Sequence, residues 1–188
     1  INNFNYPIVV KSDGLAAGKG VTICYNKSES LKDISEILNG KFKSSKKVIV
    51  EEFLNGEEAS YFIITDGENY LPIGTAQDHK RIGENDTGLN TGGMGAYSPS
   101  KLISIEIEKK INKKIIEPTL KAMKSIGSPY KGILYAGLMI EKSEPKLIEY
   151  NIRFGDPECQ ILMMRLKNDL LDLILSTFNN TLKNKIIS

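Results

Sequence analysis

Short runs rich in β-branched residues alternate along the chain with stretches of helical apolar spacing, and Gly, Asn, Asp and Pro divide them. Residues 7–11 (PIVVK) predict a strand, 12–20 (SDGLAAGKG) a glycine-rich loop and 21–25 a second strand. Residues 28–38 predict a helix capped by Ser28 or Ser30, with Leu31, Ile34, Ile37 and Leu38 on one face and Asn39-Gly40 at its end. A third strand is predicted over 48–54 (VIVEEFL), then a turn at Asn55-Gly56. Residues 58–65 and 70–75 predict two strands joined by a hairpin turn at Asp66-Gly67. Residues 77–98 are rich in Gly, Thr, Asn and Asp and poor in apolar residues, which predicts a long loop of the functional or disordered kind. A helix follows over 105–126, interrupted at Pro118, then strands at 132–141 and 146–150 joined around Pro145, then a closing helix or helix pair over 159–175. This order gives an α+β fold with a small lobe, residues 1–54, and a larger lobe, residues 55–188, and a ligand cleft is expected between them.

Composition narrows the class. A chain of 188 residues, 40% hydrophobic and 26% charged, suits one substantial domain or two small lobes. The 25 basic and 23 acidic residues leave a net charge of +2, which gives no reason to expect a nucleic-acid surface. The basic runs at Lys43 to Lys47 and Lys109 to Lys114 read as solvated faces. No apolar run reaches the ~18 residues that cross a bilayer. Cys24 and Cys159 stand far apart, which suggests neither a disulfide framework nor a metal cluster and fits a reducing, cytoplasmic setting. The start carries no signal-peptide pattern, and Ile1 and the uncapped end at Lys183 to Ser188 predict a piece excised from a longer chain.

Four segments carry candidate chemistry. The first is GLAAGKG, Gly14 to Gly20, where glycines let amide N–H groups approach an anion and Lys19 can reach a phosphate. It is not a Walker A loop: three residues rather than four separate Gly14 and Gly18, Gly20 stands in place of the magnesium-binding hydroxyl, and a strand follows instead of a helix. Strand–glycine loop–strand reads either as a flap over phosphates or as an ordinary hairpin connection. Lys11, on the preceding strand, either fixes a phosphate or faces solvent. The second is EEFLNGEE, where backbone groups along Glu51, Glu52, Phe53 and Leu54 can pair with an adenine edge and Glu58 can take ribose hydroxyls; a charged hairpin is the alternative. The third is IEYNIRFGDPE, in which strand alternation puts Glu149 and Asn151 on one face as hard oxygen donors for Mg²⁺. Arg153 would continue that face if the strand persists and stabilise phosphoryl oxygens. Asp156 is a candidate helix cap, and a polar strand end with a capped helix is the bland alternative. The fourth is QDHKRIGENDTGLNTGGMGAYSP, with Asp78, His79, Lys80 and Arg81 among glycines, a mixture suited to a polar substrate with a phosphate and an amine. The lone His79 has no partners for zinc and no Ser/His/Asp set around it.

Taken in order, PIVVKSDGLAAGKGV, EEFLNGEEAS, TAQDHKR, NTGGMGAYSP, LYAGLM, RFGDPE and MMRLKNDL resemble the ATP-grasp domain of the phosphoribosylamine–glycine ligases over nearly the whole chain. The resemblance implies an ATP-grasp fold, two α+β lobes with the nucleotide between them. It implies an ATP-dependent carbon–nitrogen ligase of purine synthesis that phosphorylates the glycine carboxylate and lets 5-phosphoribosylamine attack the acyl phosphate. It puts Lys11 and Lys19 on phosphates with Gly18 and Gly20 in the flap, Glu51 through Leu54 at adenine, and Glu58 at ribose. It puts Glu149 and Asn151 on Mg²⁺, for which Mn²⁺ can substitute, and Arg153 near the transferred phosphoryl group. Asp78, Lys80, the stretch with Asn90, Gly92 and Gly93, and Asp156 would line the substrate pocket. Leu89, Ser12 and Cys159 depart from the usual proline, alanine and threonine. Where the wider ATP-grasp pattern has a further acid, this chain reads Tyr135 to Leu138, leaving Glu141 as the candidate third ligand. The family's N- and C-terminal domains are absent, so other domains of a parent chain are the expected partners. The alternatives are an ATP-binding core without turnover and another ATP-grasp carboxylate–amine ligase.

Overall fold

A computed structural model describes the chain except residues 1–4, Leu15, Ala17, Gly18, Ser44, Lys80, Asn85, Asp86 and Gly92; of Arg81, Leu89 and Asn90 it describes the backbone alone. The chain divides into two compact units, Ile1–Leu54 and Asn55–Ser188.

The first unit is a three-stranded antiparallel sheet with one helix. Strands β1 (Ile8–Ser12), β2 (Val21–Cys24) and β3 (Val48–Glu52) lie in the order β2-β1-β3. Helix α1 (Lys27–Glu36) packs Ile34 and the following Ile37 against Ile8, Val10 and Cys24. Its cap is Asn26 and not Ser28 or Ser30: the Asn26 side chain accepts from the Glu29 amide at 3.0 Å, and Glu29 returns a bond to the Tyr25 amide at 2.8 Å. Leu31 and Leu38 do not join the inner face; they are 49% and 52% exposed. Ser30 and Asp33 take those inner positions, bonded to Tyr6 at 3.0 Å and Lys41 at 2.7 Å. Polar pairs thus displace the leucines that periodicity had favoured.

The second unit is built on a five-stranded antiparallel sheet of order β10-β9-β4-β5-β8, with β4 at Glu57–Thr65, β5 at Tyr70–Asp78, β8 at Ala96–Tyr97, β9 at Gly132–Glu141 and β10 at Glu144–Asn151. One face buries Ala59, Tyr61, Ile63, Leu134, Ala136, Leu138 and Ile140 under helices α2 (Ile105–Ile111) and α3 (Glu117–Ser125). The other buries Phe62, Ala76 and Tyr135 against Leu162 of α4 (Glu158–Arg165), and Ile64 against Leu173 of α5 (Leu170–Phe178). Nearly uninterrupted apolar runs in β4 and β9 follow from this two-sided cover.

Several boundaries move from their predicted places for local reasons. The helix over 105–126 is broken by a wide turn at Asn112–Ile116, and Pro118 sits in the first turn of α3, where its missing N–H is tolerated. The β9–β10 turn is Lys142-Ser143, both at positive φ (50° and 64°), the geometry of a two-residue hairpin. Pro145 lies inside edge strand β10 opposite Ile140, where no donor is required on its outer side. Residues 77–98 are more structured than a loop: β5 runs on to Asp78 and pairs with β8, and a separate hairpin joins β6 (Arg81–Gly83) to β7 (Thr87–Asn90). The closing segment is a helix pair, with Asp169 capping α5 through the Asp172 amide at 3.0 Å.

Candidate functional site

In the first unit, antiparallel pairing places Lys11 opposite Ile49 and Val9 opposite Glu51, so Lys11 and Glu51 are diagonal neighbours on one face. Their Nζ–Oε2 distance is 2.6 Å. This is the face away from α1, and Val21, Ile23 and Ile49 on it are 51%, 39% and 45% exposed. Exposed β-branched carbons around an ion pair form a surface able to take a flat ring and an anion together. Glu52 ends β3, the edge strand of its sheet, and half-buried Phe53 and Leu54 follow beyond the ladder rather than within a strand to 54.

The glycine-rich loop is tied at its base. The Ser12 amide donates to the Gly20 carbonyl at 2.8 Å, Asp13 to Lys47 O at 3.1 Å, and Gly14 to Ser45 Oγ at 3.0 Å. A Cβ on buried Gly20 would lie 2.1 Å from Ser12 Oγ, so only glycine fits there. Lys19, next to Gly20, is exposed, its amide bonded to Ala16 O at 2.9 Å. Gly18 lies outside the described residues.

In the second unit, Glu149 and Asn151 close edge strand β10, opposite Gly137 and Tyr135 of β9. Asn151 Nδ2 donates to Glu149 Oε1 at 3.1 Å, so alternation does bring the two together. Turning the Asn151 amide over presents an oxygen beside the carboxylate, a donor set that fits a hard divalent cation. Glu58 pairs opposite Met139, on the same face of the sheet as Gly137 and Glu149. Asp78 reaches that face from β5, near enough to raise the Tyr135 hydroxyl pKa together with burial, the larger cause, and Glu158. Glu141 pairs opposite Glu144 at the other end of the hairpin, about 13 Å along the strand from Gly137. It therefore cannot serve as the third ligand. Among the described residues no group of three or more His, Cys, Asp or Glu forms a metal cage.

Strand β10 stops at Asn151, and Arg153 lies in the bend beyond it, exposed, with Nη1 donating to Phe154 O at 2.8 Å. Asp156 does not cap α4: Pro157 holds the cap position, and Asp156 Oδ1 accepts from Gln160 Nε2 at 2.8 Å. Gly93, at φ 124°, passes directly over this turn, where a Cβ would meet Pro157 Cδ at 2.8 Å. Asn90 ends β7; Lys80 and Gly92 lie outside the described residues. His79 fixes the segment through backbone bonds, its amide to Gly95 O at 2.8 Å and its carbonyl from the Met94 amide at 2.7 Å.

A buried set beneath this turn carries no signal in the sequence. Glu158 is 3% exposed, Ser60 Oγ donates to its Oε1 at 3.3 Å, and Ser60 Oγ also lies 2.9 Å from the Tyr135 hydroxyl. A glutamate opening a helix reads as a solvated, dipole-favoured residue, whereas here its carboxylate is bonded to Ser60 of β4 and packed against Gly155.

The description of the phosphoribosylglycinamide synthetase ATP-grasp (A) domain matches residues 1–159 of this chain. The phosphoribosylamine–glycine ligase of Brucella melitensis is 57% identical over 169 residues, 89% of this chain and 40% of the relative. That of Vigna unguiculata is 57% identical over 174 residues, 90% of this chain and 56% of the relative. The crystal structure of the Thermotoga maritima phosphoribosylamine–glycine ligase superposes with a TM-score of 0.87 at 35% identity, covering 95% of this chain and 46% of that one. A D-alanine–D-alanine ligase from Bacillus anthracis, solved with ATP, shares the fold alone, at a TM-score of 0.59 and 19% identity. The chain thus spans about half or less of the length of these ligases.

Proposed function

The chain belongs to the phosphoribosylglycinamide synthetase ATP-grasp family and has the ATP-grasp fold, and on that premise we propose that it joins glycine to 5-phosphoribosylamine with ATP. The products are glycinamide ribonucleotide, ADP and phosphate, a step of purine synthesis in the cytoplasm. The observation that carries this reading is the side-by-side Glu149 and Asn151 at the end of β10, on the same sheet face as Glu58 and Asp78.

In this reading the first unit supplies phosphate and adenine contacts: Lys11 and Lys19 neutralise phosphate oxygens, Gly18 and Gly20 keep the flap's backbone close, and residues 51–54 meet adenine. The second unit supplies Glu58 for ribose and Glu149 with Asn151 for Mg²⁺. Bound there, Mg²⁺ or Mn²⁺ would offset charge on the phosphate oxygens. Arg153 stabilises the phosphoryl group as it passes to the glycine carboxylate. Asp78, Lys80, Asn90, Gly92, Gly93 and Asp156 orient the carboxylate and the amine, which then attacks the acyl carbon and expels phosphate. Water must be excluded while the acyl phosphate persists. The remaining domains of a parent chain are its partners.

ADP release from Mg-ATP, with glycine and phosphoribosylamine omitted in turn, tests this. Release that requires both supports the ligase; equal release with another amino acid excludes it. A second reading is a nucleotide-binding core without turnover. Calorimetric Mg-ATP binding without any ADP release identifies that case.

A further inference from the structure

We propose that Glu158 is a positioning residue: its buried carboxylate holds the 154–157 turn, and through it Arg153 and Asp156, in place for the ligation. The inference rests on the ligase reading for its kinetic consequence but not for its structural one.

An ionised carboxylate is costly to bury unless it is bonded. Glu158 is 3% exposed although it opens α4. Ser60 Oγ donates to Oε1 at 3.3 Å and lies 2.9 Å from the Tyr135 hydroxyl, so Ser60 links the carboxylate to both strands. Ser60 and Tyr135 belong to β4 and β9, so the carboxylate is anchored on the central strands of the sheet.

What the anchored group does is visible at Gly155. A Cβ there would fall 2.2 Å from Glu158 Oε2 and 2.5 Å from Cδ, so the carboxylate fills the space a side chain would need. The turn is then fixed on every side that matters. The Cys159 amide bonds to Gly155 O at 2.9 Å, the Phe154 ring stacks on Phe62 at 6.3 Å, and Gly93 lies against Pro157. Arg153 Nη1 donates to Phe154 O at 2.8 Å, so the guanidinium takes its position from the backbone that Glu158 supports. A buried polar group bonded in this way fixes one geometry of the turn among several.

The test uses the full chain, with ¹⁵N relaxation as a readout that needs no turnover. Glu158→Ala should drop backbone order parameters at Phe154 and Gly155 from about 0.85 to below about 0.6, leaving β9 rigid. In the ligase assay kcat/KM for glycine should fall roughly 10²-fold, as misplacement by about 1 Å does, with Mg-ATP affinity unchanged. Glu158→Gln keeps the shape and an acceptor for Ser60 and should recover most of both losses. Gly155→Ala should reproduce the loss by displacing the carboxylate, and it carries the test if Glu158→Ala does not fold. Rigid order parameters at the turn in both alanine variants would overturn the proposal, as would loss of order throughout β9. A wild-type chain without glycine-dependent ADP release would refute the ligase reading instead, while the relaxation data still decide the role of Glu158.

Discussion

The two units use a β-sheet in opposite ways. In the first, α1 covers one face and the other stays open, with Val21 and Ile49 about half exposed beside the Lys11–Glu51 pair. In the second, both faces are covered by helices, and the candidate groups share one sheet face, Glu149 and Asn151 on edge strand β10 and Glu58 and Asp78 at the ends of β4 and β5. An open apolar sheet face costs a small unit part of its core; a domain of about 60 residues buries only about 60% of its surface and is marginal. The larger unit keeps an apolar core on each face, with Ser60 and Glu158 buried as a bonded polar pair within it. Structural loss and functional loss should therefore separate cleanly in the second unit and overlap in the first.

That contrast can be broken at graded points. The largest effect is expected from Phe62→Ala, which empties a fully buried ring site and should cost about 3–5 kcal/mol in a denaturant titration. Next is Glu149→Ala, expected to lower Mg-ATP turnover by roughly 10²–10³-fold with the melting transition unchanged. A large fall in melting temperature would mean that this position is part of the core after all. Gly20→Ala forces a methyl onto Ser12 Oγ and should destabilise the first unit by about 1–3 kcal/mol, read as faster amide exchange in β1 and β2 while β9 keeps its protection. The smallest concerns pH. Lys110 first, then Lys114, hydrogen-bond to Glu144 and hold its carboxyl at about 2, below the ordinary 4.5. Because folding lowers this pKa, the stabilisation is present above pH 4.5 and disappears as pH falls toward 2. Glu144→Gln should flatten the unfolding curve in that window only slightly, since the pair lies at the exposed surface.

Much of this organisation could be read from the residues. PIVVK, VIVEEFL and the run after Asn55-Gly56 announced strands because β-branched residues and glycine breaks act locally. Glu149 and Asn151 were found together because strand alternation is a rigid rule. Tertiary competition erased other signals. Leu31 and Leu38 fit a helical stripe, but Tyr6 and Lys41 gave Ser30 and Asp33 the inner places. Strands β6 and β7 carry no alternation of polar and apolar residues, so only their pairing reveals them. Arg153 would share the face of Glu149 and Asn151 only if the strand persisted, and the chain bends after Asn151. Glu158 was invisible as a buried group because its partners, Ser60 and Tyr135, lie far from it in sequence.

The central claim is that a carboxylate is activated by ATP in this protein. Its most direct test supplies glycine labelled with ¹⁸O in both carboxylate oxygens, together with Mg-ATP and phosphoribosylamine, and analyses the released phosphate by mass. Transfer through an acyl phosphate leaves one carboxylate oxygen on phosphorus, so each phosphate should carry one ¹⁸O. Phosphate released without label would contradict the account.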